Sequence, residues 1–230
     1  LKKLKILGKL TVVLLCIIYL VPFAIITFSD SAALHVNRAV SFLLIAQKLK
    51  TKSADQTELA LNIYDYVREM INPPLQTEFI NELHPFEVLK KGTGSCDQQA
   101  HVIIFIAQAA GLEGRMVFLY GQDSISRHTV TELKINDKWA MLDPYYAYYF
   151  KSDGRILGVA EIADKKVVFD DGKNIDGATY TSYFNTNYPS KIHPLKKEKG
   201  KASIFNAYLR FMYKISPAPY MKMLQSFSDR

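Results

Sequence analysis

Cysteine is scarce in this chain: 230 residues contain two, Cys16 and Cys96. Two cannot build a disulfide framework, and their settings are unlike. Cys16 lies inside an apolar run, whereas Cys96 follows a glycine-punctuated turn, so a bond between them would be geometrically odd. The count suits either redox compartment, the oxidising one if the lone thiol is reserved for chemistry. Histidine is sparse too. His35, His84, His101 and His193 are scattered without paired ligand spacing, which argues against a metal site, and no ligand loop suggests calcium. Gly92 and Gly94 fit a turn, and no glycine-rich phosphate loop occurs. The chain is expected to need no cofactor and no metal.

A basic working face is also missing. The net charge is +7, but residues 1–9 carry four lysines and no acid, and residues 190–230 carry nine Lys/Arg against Glu198 and Asp229. Between them, residues 10–189 hold sixteen Lys/Arg and twenty Asp/Glu, hence −4. Basicity confined to the two ends is not the stripe that phosphate backbones require. Nucleic acid is therefore not an expected partner.

What is present begins with Leu10 to Phe28, nineteen residues without a charge, behind Lys2, Lys3, Lys5 and Lys9. About twenty apolar residues span a bilayer as a helix, and Pro22 is tolerated there. The lysine-rich flank should stay cytoplasmic, placing the chain from about Asp30 onward outside the cytoplasm. A cleaved signal peptide is the competing reading, but the run is long for one and no clear small-residue cleavage site follows. Residues 1–30 are thus expected to be a signal anchor in the cell (inner) membrane. Residues 31–54 read as a helical linker, 55–150 as the core, and 151–230 as an extension. Within that extension, 202–215 has amphipathic spacing suited to an anionic membrane surface or to packing.

In the core, Asp55 reads as an N-cap with Glu58 three residues on. Leu59, Ile63, Tyr66, Val67 and Met70 follow at helical spacing, and Asn72-Pro73-Pro74 ends the run. The residues up to Lys91 read as a loop-rich approach. Gly92-Thr93-Gly94-Ser95-Cys96 then leads into a helix with Ala100, Ile103, Ile104 and Ala107 on one face, closed by Gly111. A thiol in the first turn of a helix meets unpaired backbone N–H groups and the positive end of the dipole. Both favour thiolate, which makes Cys96 a candidate nucleophile. Strands follow over Arg115–Tyr120, His128–Ile135 and Lys138–Asp143.

The last two strands allow a geometric test. With Asn136-Asp137 as a two-residue hairpin loop, Ile135 pairs with Lys138 and Val130 falls opposite Asp143. His128 is then one diagonal step from Asp143 on the same face, about 7–8 Å away. A one-residue slip would separate them. Singly, each residue has a plain structural explanation; in this order and register they read as nucleophile, general base and orienting carboxylate. The Cys96 backbone N–H is one oxyanion donor by position. Lys90, Lys91 and Gln98 are candidates for the second. Trp139 reads as a core anchor, and Tyr145 to Phe150 as packed aromatics or a substrate wall.

Gly94-Ser95-Cys96 with Ala109-Ala110-Gly111-Leu112-Glu113-Gly114-Arg115 resembles the nucleophile helix and following turn of the transglutaminase-like superfamily. His128 through Leu133 resembles its H-x-x-x-E block, and Asp137-Lys138-Trp139 through Asp143-Pro144 its G-x-W-x-x-x-D-P block. Ile63 through Arg68 resembles the lead-in helix. The resemblance implies an α+β, papain-like fold, the nucleophile helix packed on an antiparallel sheet, with Cys96, His128 and Asp143 as a triad. Asp97-Gln98-Gln99 departs from the aromatics frequent after the cysteine, Thr129 from the usual alanine, and Asp137 from the usual turn glycine. Those differences bear on substrate choice. The expected activity is that of a membrane-anchored, extracytoplasmic cysteine peptidase or amidase, working on peptide or protein amides through an acyl-thioester. Amine transfer is the less favoured outcome. The alternative is a catalytically silent domain that binds a peptide or cell-envelope polymer.

Overall fold

A capped helix, a glycine turn and a tight hairpin position the site, and each is written locally. The computed structural model describes residues 2–74, 84–121, 123–164, 174–175, 178–179, 184, 191–193, 207–212 and 219–228. In chain order the helices are α1 (Lys2–Phe28), α2 (Asp30–Lys50), α3 (Gln56–Met70), α4 (Pro85–Lys91), α5 (Cys96–Ala110), α6 (Val159–Asp164), α7 (207–212) and α8 (Pro219–Ser228). The strands are β1 (Glu113–Tyr120), β2 (Ser126–Ile135), β3 (Lys138–Leu142), β4 (Lys151–Ser152), β5 (Arg155–Ile156), β6 (Asn174–Ile175), β7 (Ala178–Thr179) and β8 (Lys191–His193). The architecture is mixed helix and antiparallel sheet. Residues 1–44 with 198–230 form one compact unit, and residues 45–197 form another.

In the first unit α1 runs through the uncharged stretch, and Ser29 breaks it by accepting the Ala32 N–H at 3.3 Å, capping α2. Among the described residues no single helix is long and apolar enough to cross a membrane. Lys9–Ile25 and Asp30–Lys50 would pass together by length and composition, but they are bent by 113°. The expected N-terminal transmembrane helix is therefore not shown as one straight element. Of the amphipathic helix expected over 202–215, residues 207–212 are helical and the remainder lies outside the described residues.

In the second unit Asp55 Oδ1 accepts the Glu58 N–H at 2.8 Å, and Glu58 Oε2 reaches back to the Ala54 N–H at 2.6 Å. This fixes the start of α3, whose Leu59, Ala60, Ile63, Tyr64 and Val67 are buried. The approach to the nucleophile contains a helix where a loop was expected. Pro85 occupies the first turn of α4, His84 caps it by accepting the Phe86 N–H at 3.1 Å, and Gly92 closes it at φ 72°. Proline at the start and a left-handed glycine at the end are the usual helix boundaries; seven residues are too few for helical periodicity to show.

The main sheet has the order β3-β2-β1-β8, antiparallel throughout. Asn136 and Asp137 both have positive φ, 47° and 63°, as a type I′ turn requires. They set the expected register, with Ile135 opposite Lys138 and Thr131 opposite Leu142. Both faces of β2 are buried. On one face Thr131 donates to the Ala100 carbonyl of α5 at 3.2 Å, and Gly114 lies against Ile104 and Leu133. The other carries Val117, Leu119, Val130 and Met141, covered by Leu157, Val159, Ile162 and Phe184. That covering includes Val159, whose N–H donates to buried Glu132 at 2.8 Å, while Glu132 also pairs with Arg115 at 2.6 Å. Strand β8 comes from the extension, where the sequence offered no motif.

Gly94 sits where a Cβ would meet Val88 Cγ1 at 2.8 Å and Ile71 Cγ2 at 3.3 Å. Both neighbours are buried and β-branched, so neither swings aside. Gly94→Ala is expected to destabilise the domain by about 1–3 kcal/mol, measured as a lower urea midpoint at unchanged slope.

Candidate active site

The nucleophile turn is held by backbone on both sides. Asn72 N–H donates to the Gly92 carbonyl at 2.9 Å, and Gly94 N–H donates to the Asn72 carbonyl at 3.0 Å. Gln99 Nε2 then donates to the Gly94 carbonyl at 2.9 Å, and the Ser95 N–H to Gln98 Oε1 at 3.1 Å. Ser95 Oγ is hydrogen-bonded to Asp97 Oδ1. Cys96 is therefore delivered as the first residue of α5, partly exposed, at the positive end of a fifteen-residue helix.

The imidazole and carboxylate arrive from the hairpin. His128 Nε2 and Asp143 Oδ2 are 2.6 Å apart, with His128 2% exposed and Asp143 fully buried. The other Asp143 oxygen, Oδ1, accepts the N–H groups of Tyr145 and Tyr146 at 3.1 and 3.2 Å. An exchange of backbone hydrogen bonds between Asp143 and Tyr148, at 2.8 and 3.0 Å, closes the loop. Ala147 takes a left-handed φ of 66° to permit it. The Tyr146 ring packs edge-on to the imidazole at 4.8 Å. The Cys96 side chain is near enough to the same ring to act on its charge. The three residues expected from the sequence thus meet.

Residues 44–144 match the family model of the transglutaminase-like superfamily. Over this stretch, a little under half of its length, the chain is similar to that superfamily. No protein of curated function matches the chain. Crystal structures similar to it include a candidate protease from Parabacteroides distasonis (19% identity, TM-score 0.40, covering 50% of this chain and 26% of that one). Another is a candidate cysteine protease from Cytophaga hutchinsonii, at 14% identity and TM-score 0.42, covering 70% and 53%. A third is a TGase at 12% identity and TM-score 0.39, covering 54% and 36%. The chain therefore spans between a quarter and about half of the length of these structures.

The electrostatics of the site follow from opposing influences on His128. Burial, the largest, pulls its pKa down. The charge and hydrogen bond of Asp143, then those of Cys96, push it up and prevail, raising it from 6.5 to about 9. A folded pKa above the unfolded one means that His128 contributes stability fully present below about 6.5 and lost as pH rises through about 9.

Of the candidate second oxyanion donors, Gln98 has its amide oxygen committed to the Ser95 N–H, and the Lys90 ammonium lies 5.9 Å from the Phe86 ring centroid. Lys91 is exposed at the end of α4. Trp139 packs under the Arg115 guanidinium, 3.8 Å from the ring centroid, and Arg115 bonds Glu132. It is a half-buried platform for that ion pair rather than a core anchor. Sequence reasoning missed the Tyr145 and Tyr146 amides, although Asp followed by Pro is a recognisable signal for a carboxylate that caps its own turn. Among the described residues no three His, Cys, Asp or Glu side chains gather as a metal site would need.

Replacing Asp143 by Asn removes the main influence that raises the His128 pKa and leaves burial in place. The imidazole should then be neutral at pH 7, its ring protons titrating below the ordinary histidine value. In the native protein they should titrate near pH 9. Titration of the ring signals by NMR measures both.

Proposed function

We propose that this chain is a membrane-anchored, extracytoplasmic cysteine enzyme that acts on amide bonds through an acyl-thioester. The observation that carries the reading is one imidazole bonded to a buried carboxylate and neighboured by a thiol at a helix N-terminus. The Cys96 thiolate attacks the amide carbon, a C–S bond forms, and the carbonyl electron pair moves to oxygen. The Cys96 N–H, unpaired as the first in α5, faces that oxygen by position. Collapse breaks the C–N bond, and the His128 imidazolium gives its proton to the departing amine. His128 then takes a proton from water, which attacks the thioester and returns Cys96 as thiolate. Asp143 orients the ring and favours its charged form.

Hydrolysis is preferred to amine transfer because a short domain offers little scaffold to keep water from the thioester. Anchoring is supported by the uncharged run Leu10–Phe28 behind four lysines. Exposed Val12, Leu14, Ile17 and Leu20 on α1 support it too. The second reading is a silent domain that holds a peptide or envelope polymer. The depth of His128, 2% exposed, favours it, because substrate must displace cover to reach the base.

Wild type and Cys96→Ser are compared on peptide and cell-wall substrates by mass spectrometry of the products. The wild type is expected to yield cleaved amides, and the variant a rate lower by about 10³-fold or more. A mass gain by amine exchange would instead assign transfer. Identical products from both proteins would leave only the binding module.

A further inference from the structure

Helix α3 touches the frame of the site at three places. At its start, Gln56 Oε1 accepts the N–H of Asn136, in the hairpin turn that sets the β2–β3 register. Beyond its end, the Asn72 backbone is bonded to Gly92 and Gly94 of the nucleophile turn. Between them stands Tyr64, 1% exposed, its ring edge-on to that of Tyr149 with centroids 5.6 Å apart. Tyr149 follows Tyr148, whose backbone exchanges hydrogen bonds with Asp143. Arg68 covers Tyr64 from one turn further along α3, its guanidinium 5.3 Å from the ring centroid.

This packing uses the ring alone. The Tyr64 hydroxyl is buried without a hydrogen-bond partner, as are Thr93 Oγ1 and Gln99 Oε1 among the described residues. A buried tyrosine hydroxyl usually finds a partner. Leaving a donor unpaired is costly, and phenylalanine would fill the same space without that cost. The fold at rest therefore does not explain the hydroxyl. What lies near it is charge: Asp143 is close enough to act on the phenol. Burial, the largest influence, pushes the Tyr64 pKa up; Arg68 opposes it, and Asp143, Asp65 and Tyr149 add to the rise. The group is thus a neutral O–H donor across the working pH range.

The surroundings of the Asp143 charge change during the reaction proposed above. While His128 is an imidazolium, the carboxylate faces a cation. Once that proton has gone to the departing amine, the carboxylate keeps its charge and loses the cation while fully buried. A buried anion in that state is stabilised by a further donor.

We propose that Tyr64 is a positioning residue for Asp143, its hydroxyl turning to the carboxylate when His128 becomes neutral. The inference rests on the proton transfer of the proposed function, and it gives α3 a part in that transfer. A donor that favours the neutral ring makes His128 release its proton more readily. Asp143 and Cys96 act on the His128 charge directly, and Tyr64 acts through Asp143.

The His128 ring signals are titrated by NMR in the full chain, in Tyr64→Phe and in Tyr149→Phe, and each protein is unfolded in urea. The native midpoint is expected near pH 9. Tyr64→Phe removes only the donor that favours the neutral ring, so its midpoint should rise by about half a unit or more. Its urea midpoint should stay or increase, because the hydroxyl has no partner at rest. Tyr149→Phe removes the other hydroxyl of the same ring pair and should leave His128 unmoved. An unmoved or lowered His128 midpoint in Tyr64→Phe, an equal rise in Tyr149→Phe, or a lower urea midpoint in Tyr64→Phe would overturn the proposal. The titration needs no substrate, so a chain without turnover would sink the enzyme reading and leave this result readable. A native His128 titrating near 6.5 would remove the charged pair, and the role of Tyr64 with it.

Discussion

Everything at the site depends on holding one carboxylate, fully buried, in a fixed set of hydrogen bonds. Asp143 is fully buried, and a buried carboxylate is costly unless its lone pairs are occupied. Among the donors that occupy them are the His128 ring on Oδ2 and the Tyr145 and Tyr146 amides on Oδ1. The two amides belong to the turn that Asp143 itself begins, so this solvation comes from local backbone. The imidazole is a further donor, held by the carboxylate in a fixed orientation. That imidazole neighbours Cys96, which sits at the helix terminus where the partial positive charge of α5 lies.

The scaffold brings these groups together through two independent devices. One is register: the left-handed pair Asn136-Asp137 locks β2 to β3, placing Asp143 and His128 on one face of the sheet. The other is the parallel bridge between Asn72 and Thr93, which ties the nucleophile turn to the end of α3. Helix α5 covers one face of β2, and the segment from Leu157 to Ile162 covers the other, with Glu132 accepting the Val159 N–H between them. A strand buried on both sides cannot slip, since any shift would bury the wrong residues. The rigidity of the site is that of the sheet centre.

Much of this was legible in the sequence because it was written in short-range chemistry. The Asp55–Glu58 cap, Gly111 at the end of α5 and the Asn136-Asp137 turn each depend on a few neighbouring residues, and each forms as expected. The meeting of His128 with Asp143 followed from strand parity alone. Other features depend on distant partners. Strand β8 joins β1 across more than seventy residues through backbone hydrogen bonds that ask little of side-chain identity. Helix α4 is too short for periodicity, and only its boundary residues betray it. Tyr220 shows no reason in its own neighbourhood for packing on Tyr19, two hundred residues earlier. The role of Trp139 was misjudged because a tryptophan in a strand suggests a core, while its partner Arg115 lies on another strand.

The central claim is that the imidazole and the thiol act as one unit, and Cys96 reactivity reports on it most directly. Alkylation of Cys96 by iodoacetamide at pH 7, followed by mass spectrometry, is timed in the native chain, in His128→Ala and in the denatured chain. Faster reaction in the native chain than in the denatured one, abolished by His128→Ala, is the predicted result. A native Cys96 that reacts no faster than the denatured chain, or is indifferent to loss of the imidazole, would contradict it.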